Sequence, residues 1–281
     1  MVVMTNAEKA QRLLELHHQE TPLVLVNAWD AASACIVEQA GFPAIATSSA
    51  GAANALGFPD GQKLPWVEMV SAIKRIASAV RVPVTADIEA GFSAGPEQLG
   101  AAIDDVIAAG AVGVNLEDAL PGHGDQGPLY SLADQLARIQ ATRKAGEKRG
   151  VNVVINARTD AYWQKGQKPD EALRSTLERG KAYLKAGADC IFVPGLRDPG
   201  HIRTIVQEFK APINVLATAG CPSIPELQKL GVKRISMGSG PMRAAMGLLR
   251  RIAREAQSSG TYNALLDGAV PYPEMNALFE K

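Results

Sequence analysis

Eight short apolar stretches punctuate the chain, near residues 23–27, 44–47, 84–88, 112–116, 152–157, 190–193, 213–216 and 234–237. Segments with apolar positions at helical spacing lie between or after them, over 66–79, 97–109, 132–149, 170–186 and 241–257. Continuous apolar strands alternating with amphipathic helices predict a parallel sheet covered by helices. Four of the strands follow a helix that ends in glycine (Gly41, Gly110, Gly187 and Gly231), the residue favoured just past a helix end. Of the four that interleave with them, three have a proline at the entrance (Pro22, Pro83 and Pro212), where the missing N–H does least harm. Eight such units is the number that closes a (β/α)₈ TIM barrel, an α/β fold. The alternative is an open doubly wound sheet, which commonly has five or six strands. The pattern predicts one barrel domain over 1–281, with 258–281 as a C-terminal helical extension. That extension packs either on a neighbouring subunit or on the barrel's own edge.

Bulk properties narrow the function. Lys plus Arg and Asp plus Glu are both 29, for a formal net charge of zero. Such a balance gives no pull toward nucleic acid or an anionic membrane, and it permits self-association. Three cysteines, Cys35, Cys190 and Cys221, without a C-x-x-C pair argue against a disulfide framework or structural zinc, and fit a cytoplasmic protein. The N-terminal segment reads as a capped amphipathic helix, not a signal peptide. No apolar run approaches the ~18 residues of a membrane span.

Barrel enzymes build their sites at the C-terminal ends of the strands. The polar residues there are Asn27, Asp30, Thr47, Ser48, Ser49, Asp87, Glu89, Asn115, Glu117, Asp118, Asn156, Arg158, Asp160, Thr218, Ser236 and Ser239, with Asn214 at a strand start. The stretch 190–193 ends in Phe192, Val193 and Pro194 and reads as inert. Asp87 and Glu89 are two apart, which on a strand puts both side chains on one face; Glu117 holds the matching place on the next strand. Three carboxylates at one mouth repel unless a cation or protons offset them. A hard divalent cation with oxygen ligands, Mg²⁺ or Mn²⁺, is the natural occupant. The competing reading is that each acid caps a helix or pairs with a base. Arg158 suits bidentate binding of a carboxylate or phosphonate, or else a salt bridge to Glu117 or Asp160. Ser48 and Ser49 could donate to a substrate carboxylate, or form a plain turn. His17, His18 and His201 fall on helices and read as solvated. His123, in the loop ALPGHGDQGPLY, is a candidate acid–base.

The motifs NAWDAASA, ATSSAGAANALGFPDG, TADIEAGF, GVNLED and NARTDA give the chain a resemblance to the phosphoenolpyruvate mutase/isocitrate lyase superfamily over about residues 20–255. The resemblance implies a Mg²⁺-dependent barrel that cleaves the bond next to a 2-oxo acid, such as an oxaloacetate-like substrate, through a metal-stabilised enolate of pyruvate. By the same resemblance Asp87 is the direct metal ligand, and Glu89 and Glu117 hold metal-bound waters. Asp60 is a further acid nearby, Ser48 and Ser49 bind the substrate carboxylate, and Arg158 faces the departing group. Asp60, Arg158 and Asn214 join the substrate-binding candidates, and Arg158, Glu117 and His123 are the catalytic ones. Homotetramers that exchange a C-terminal helix are implied too, with a dimer as the alternative. The loop ALPGHGDQGPLY has neither the K-[KR]-C-G-H cysteine of the lyases nor the lysine and asparagine of the phosphonate mutases. This departure points toward decarboxylases or hydrolases of the superfamily. Two alternatives stay open: a phosphonate C–P mutase or hydrolase, and a non-catalytic barrel that binds a keto acid.

Overall fold

The computed structural model describes residues 4–122 and 127–280. Nine parallel strand segments ring the centre: β1 (Leu23–Leu25), β2 (Asn27–Ala28), β3 (Ile45–Thr47), β4 (Val84–Asp87), β5 (Gly113–Glu117), β6 (Val154–Arg158), β7 (Cys190–Val193), β8 (Ile213–Leu216) and β9 (Arg234–Ser236). β1 pairs with β9 and β2 with β3. Only Val26 separates β1 from β2, so the first predicted strand serves both sides of the closure. The nine segments are the eight predicted strands of an α/β TIM-type barrel, the first of them broken at one residue.

The predicted helices form at Trp66–Ala79, Pro96–Ala108, Leu132–Lys148, Pro169–Lys185 and Gly240–Ser259. Each begins or ends within a residue or two of its predicted bounds, because apolar periodicity and terminal signals agree. Ala31–Gln39, Ser49–Ala55, Pro199–Phe209 and Ile224–Lys229 complete the outer layer. The strand interiors are fully buried: Val84, Ala86, Val114, Leu116, Ile155, Ile191, Val215 and Ile235 all belong to one core.

The N-terminal helix Asn6–Leu16 is held by a capping box between Thr5 and Glu8. It packs Ala10, Leu13 and Leu16 inward. At Gly113, where β5 begins, a Cβ would stand 2.7 Å from the Leu13 side chain, so the helix seals the barrel at the strand starts.

Two histidines depart from the solvated reading. His17 is 0% exposed; its Nδ1 lies 2.7 Å from the Leu13 carbonyl and its Nε2 lies 3.2 Å from Nη1 of Arg234. Since Arg234 can only donate, Nε2 accepts and Nδ1 carries the proton. Burial, and then the Arg234 charge, lower the His17 pKa to about 3. Helical spacing missed this because the residue lies in the turn just after the helix, where the chain bends under the barrel. His201 is half-buried, its Nδ1 2.9 Å from the Tyr162 hydroxyl; His18 is exposed, as predicted.

The tail forms two short helices, Asn263–Leu266 and Tyr272–Ala277, after the long Gly240–Ser259 helix. Glu255 ties it back by accepting from Thr261 Oγ1 and the Asn263 and Ala264 amides. Met242 is the long helix's one buried residue, while Met246, Leu249, Leu265, Leu266, Tyr272 and Phe279 are exposed. No helix among the described residues is long and apolar enough to cross a membrane.

Candidate active site and metal centre

Asp87 ends β4 and faces the barrel mouth. Its Oδ2 accepts from the Ser49 amide (3.0 Å) and the Ser49 hydroxyl (2.7 Å), and its Oδ1 from Asn115 Nδ2 (3.1 Å). Asn115 in turn accepts from Asn156 Nδ2 at 2.8 Å. The parallel register Asp87↔Asn115↔Asn156 puts these three side chains in one row across β4, β5 and β6. Among the described residues no arginine or lysine forms an ion pair with Asp87; three neutral donors hold its orientation, and Arg158 and Arg234 act on it only through space.

Glu89 does not share a strand face with Asp87. β4 stops at Asp87, and Glu89 has a left-handed backbone (φ 51°). The two-residue alternation therefore ends before it reaches Glu89. The side chain is buried and accepts from the Gln62 amide at 2.7 Å. Burial first, then the carboxylates of Asp60 and Asp87, push its pKa up to about 8. Buried Arg138 fixes this turn by donating to the Ala90 carbonyl, and its guanidinium stacks over Tyr130 at 4.4 Å.

Glu117 and Arg158 are register partners on β5 and β6, and Nη1 of Arg158 lies 2.6 Å from Glu117 Oε2. The other edge of the guanidinium meets Asp160: Nε donates to Oδ1 at 2.6 Å and Nη2 to Oδ2 at 2.7 Å. Burial opposes the Arg158 charge, but the two carboxylates outweigh it and raise its pKa well above the usual arginine value. Behind them, fully buried Asp118 accepts from the Asp160 amide at 2.9 Å and the Tyr183 hydroxyl at 2.7 Å, and pairs with Arg179 at 3.2 Å. The salt-bridge reading of Arg158 is therefore realised, with both predicted partners at once.

Asp87, Glu89 and Glu117 do not converge as one ligand set. Among the described residues no three acids, histidines or cysteines come close enough to ligate one ion. Asp87 lines a cavity of about 270 Å³, and Glu89 and Glu117 line a smaller neighbour of about 50 Å³. Ser49, Asp60 and Arg158 border both. Ser48 caps the helix Ser49–Ala55 by accepting from the Gly51 amide at 3.1 Å, and it lines the larger cavity. Asn214 is buried there too, its Oδ1 accepting from Ser236 Oγ at 3.2 Å. His123 lies outside the described residues.

Three lining residues had no recognised signal. Phe192, in the stretch read as inert, points into the larger cavity. Trp163 lies with it, and the Arg158 guanidinium sits over the two rings at 4.8 and 5.9 Å. Gly195, with φ 83°, makes room for this: a Cβ there would lie 2.8 Å from Trp163 Cδ1. A glycine two residues past a strand end was the available clue. Arg234, the third, opens β9 and reaches the same cavity from below.

Comparison with known proteins agrees with this architecture. The family model for phosphoenolpyruvate phosphomutase matches residues 13–257. An uncharacterised protein of Mycobacterium tuberculosis is 35% identical, covering 94% of each chain. A 2-methylisocitrate lyase of Halalkalibacterium halodurans is 29% identical, over 92% of this chain and 85% of its own. A solved phosphonopyruvate hydrolase in complex with oxalate and Mg²⁺ superposes with a TM-score of 0.82 at 26% identity, covering 98% of this chain and 95% of its own. The chain therefore belongs to the phosphoenolpyruvate phosphomutase family, within the phosphoenolpyruvate mutase/isocitrate lyase superfamily.

Proposed function

We propose that this chain is an enzyme dependent on a divalent cation, Mg²⁺ or Mn²⁺. It cleaves the bond next to a 2-oxo acid of oxaloacetate-like structure, or of an acid that becomes one, and leaves the enolate of pyruvate or a close relative. The observation that carries this reading is Asp87: a carboxylate without a basic partner among the described residues, held by Ser49 and Asn115 at the rim of the cavity.

The donor set fits a hard cation. Only hydroxyl and amide groups hydrogen-bond to the Asp87 carboxylate among the described residues. The Glu89 pKa, raised by burial first and then by the Asp60 and Asp87 carboxylates, reflects a crowding of acids that a dication relieves. Asp87 is the direct ligand in this proposal. Glu89 and Glu117 act through water, as suits an ion that keeps several of its waters. When bound, the cation supplies a Lewis acid for negative charge on the keto oxygen. Ser48 and Ser49 orient the substrate carboxylate. Arg158, immobilised between Glu117 and Asp160, presents a fixed positive charge to the departing group. Trp163 and Phe192 exclude water on that side. His123 moves the proton.

A relative that is a phosphonopyruvate hydrolase favours a second reading, C–P cleavage at the same site. The exposed apolar residues of the C-terminal helix and tail support assembly as a homo-oligomer, a tetramer or a dimer.

The test is a panel of oxaloacetate, 2-methylisocitrate, 2,3-dimethylmalate and phosphonopyruvate with Mg²⁺, following release of pyruvate or its analogue. Carbon–carbon cleavage of any of the first three bears out the leading reading, and turnover of phosphonopyruvate alone selects the second. Binding without turnover across the panel makes the protein a keto-acid-binding barrel and overturns both.

A further inference from the structure

Arg234 is 2% exposed, in the barrel interior beneath the row formed by Asp87, Asn115 and Asn156. Among the described residues it forms no ion pair with a carboxylate. Its one hydrogen-bonding contact is Nη1 to His17 Nε2, and that imidazole is neutral. Asp87 acts on it only through space, and burial keeps the nearby Cys190 an uncharged thiol. A buried, uncompensated guanidinium is costly unless something of opposite charge reaches it.

The surrounding groups show what could reach it. Among the described residues Arg234 Nε has no hydrogen-bond partner, and neither does Nδ2 of Asn214. These residues are register partners on β9 and β8, and both line the same cavity. Thr85 Oγ1 is also buried, unpartnered and on that cavity's wall. Two unpartnered N–H donors, one of them on the cation itself, and a buried hydroxyl line one cavity, the donor pattern of an anion site.

We propose that the floor of the barrel is a binding site for one small monovalent anion, a halide or a carboxylate, held by Arg234, Asn214 and Thr85. The site lies in the same cavity as the cation site at the rim but on different residues, and it does not depend on catalysis. The neutral His17 below is the device that keeps it anion-selective: it orients the guanidinium without discharging it, whereas an aspartate there would close the site.

Metal-free protein is titrated with bromide and with formate, at constant ionic strength balanced by a bulky sulfonate, following Tm. The expected result for the wild type is a saturable rise of about 5 °C, the size that occupancy well above Kd gives a domain of this length. Asn214→Leu and Arg234→Met are each expected to lose it. Crystals of the wild type soaked in bromide should show an anomalous peak between Arg234 Nε and Asn214 Nδ2, a readout that does not require either variant to fold. Adding pyruvate at saturating bromide identifies the natural source. A further Tm rise means a free ion occupies the floor, and no further rise means the organic acid's own carboxylate does. An equal Tm response in wild type and variants, or bromide density only elsewhere, overturns the site.

Discussion

Asp160 grips Arg158 through both of its carboxylate oxygens, at 2.6 and 2.7 Å, and so sets the direction in which the guanidinium can face the cavity. Arg158→Lys keeps the charge but loses the fork that matches this carboxylate. The expected effect is a drop in kcat/KM of about 100-fold, as for a misplaced group at a reacting centre, with an unchanged circular dichroism spectrum. Arg158→Ala also leaves Glu117 and Asp160 buried beside each other without a counter-charge. It should cost ~3–5 kcal/mol in urea unfolding; a loss under ~1 kcal/mol would show that the pair is not buried as described.

Removal of the divalent cation should be visible without any substrate. Mg²⁺ at millimolar concentration is expected to raise the wild-type Tm, because a ligand that binds only the folded chain stabilises it. Asp87→Asn should abolish the rise, and EDTA should reverse it in the wild type. An undiminished rise in Asp87→Asn would place the ion elsewhere.

The burial of His17, beside the Arg234 charge, predicts a pH dependence of stability with a definite sign. The His17 pKa falls from 6.5 in the unfolded chain to about 3 in the fold. The unfolded state therefore binds the extra proton first as pH drops. This residue's contribution is intact above pH 6.5. It is lost at about 1.4 kcal/mol per pH unit between there and pH 3, and is level below that. Subtracting the unfolding free energies of His17→Gln from those of the wild type across this range isolates the slope. A difference that does not change with pH would contradict the buried, neutral assignment.

The exposed apolar tail predicts that assembly depends on it. Leu249→Glu combined with Leu266→Glu, both half-exposed or more, should lower the mass measured by light scattering. The same mass in variant and wild type would remove this surface from the interface.

Much of the fold was legible in the chain because local signals agreed with the global pattern: glycine after helices, proline before strands, and apolar runs of strand length. The split of the first strand at Val26 was not, since closure of a ring leaves no local mark. The site was legible in part. Asp87 and Arg158 sit where strand ends put them, and the Glu117–Arg158 pairing follows from matching places on neighbouring strands. The placement of Glu89 misled because its left-handed backbone lies past the end of β4, where alternation no longer holds. Trp163, Phe192, His17 and Arg234 were missed for a common reason. An aromatic or basic residue in a barrel carries no sequence sign of whether it faces the cavity, and that direction is set by contacts distant in the chain.

Binding of oxalate, a planar mimic of the pyruvate enolate, measured by calorimetry with and without Mg²⁺, tests the central role of Asp87 most directly. The account predicts binding by the wild type that is much tighter when the cation is present, and no tightening by Mg²⁺ in Asp87→Ala. Oxalate binding by the wild type of equal strength in EDTA and in Mg²⁺, or an undiminished Mg²⁺ effect in Asp87→Ala, would contradict it.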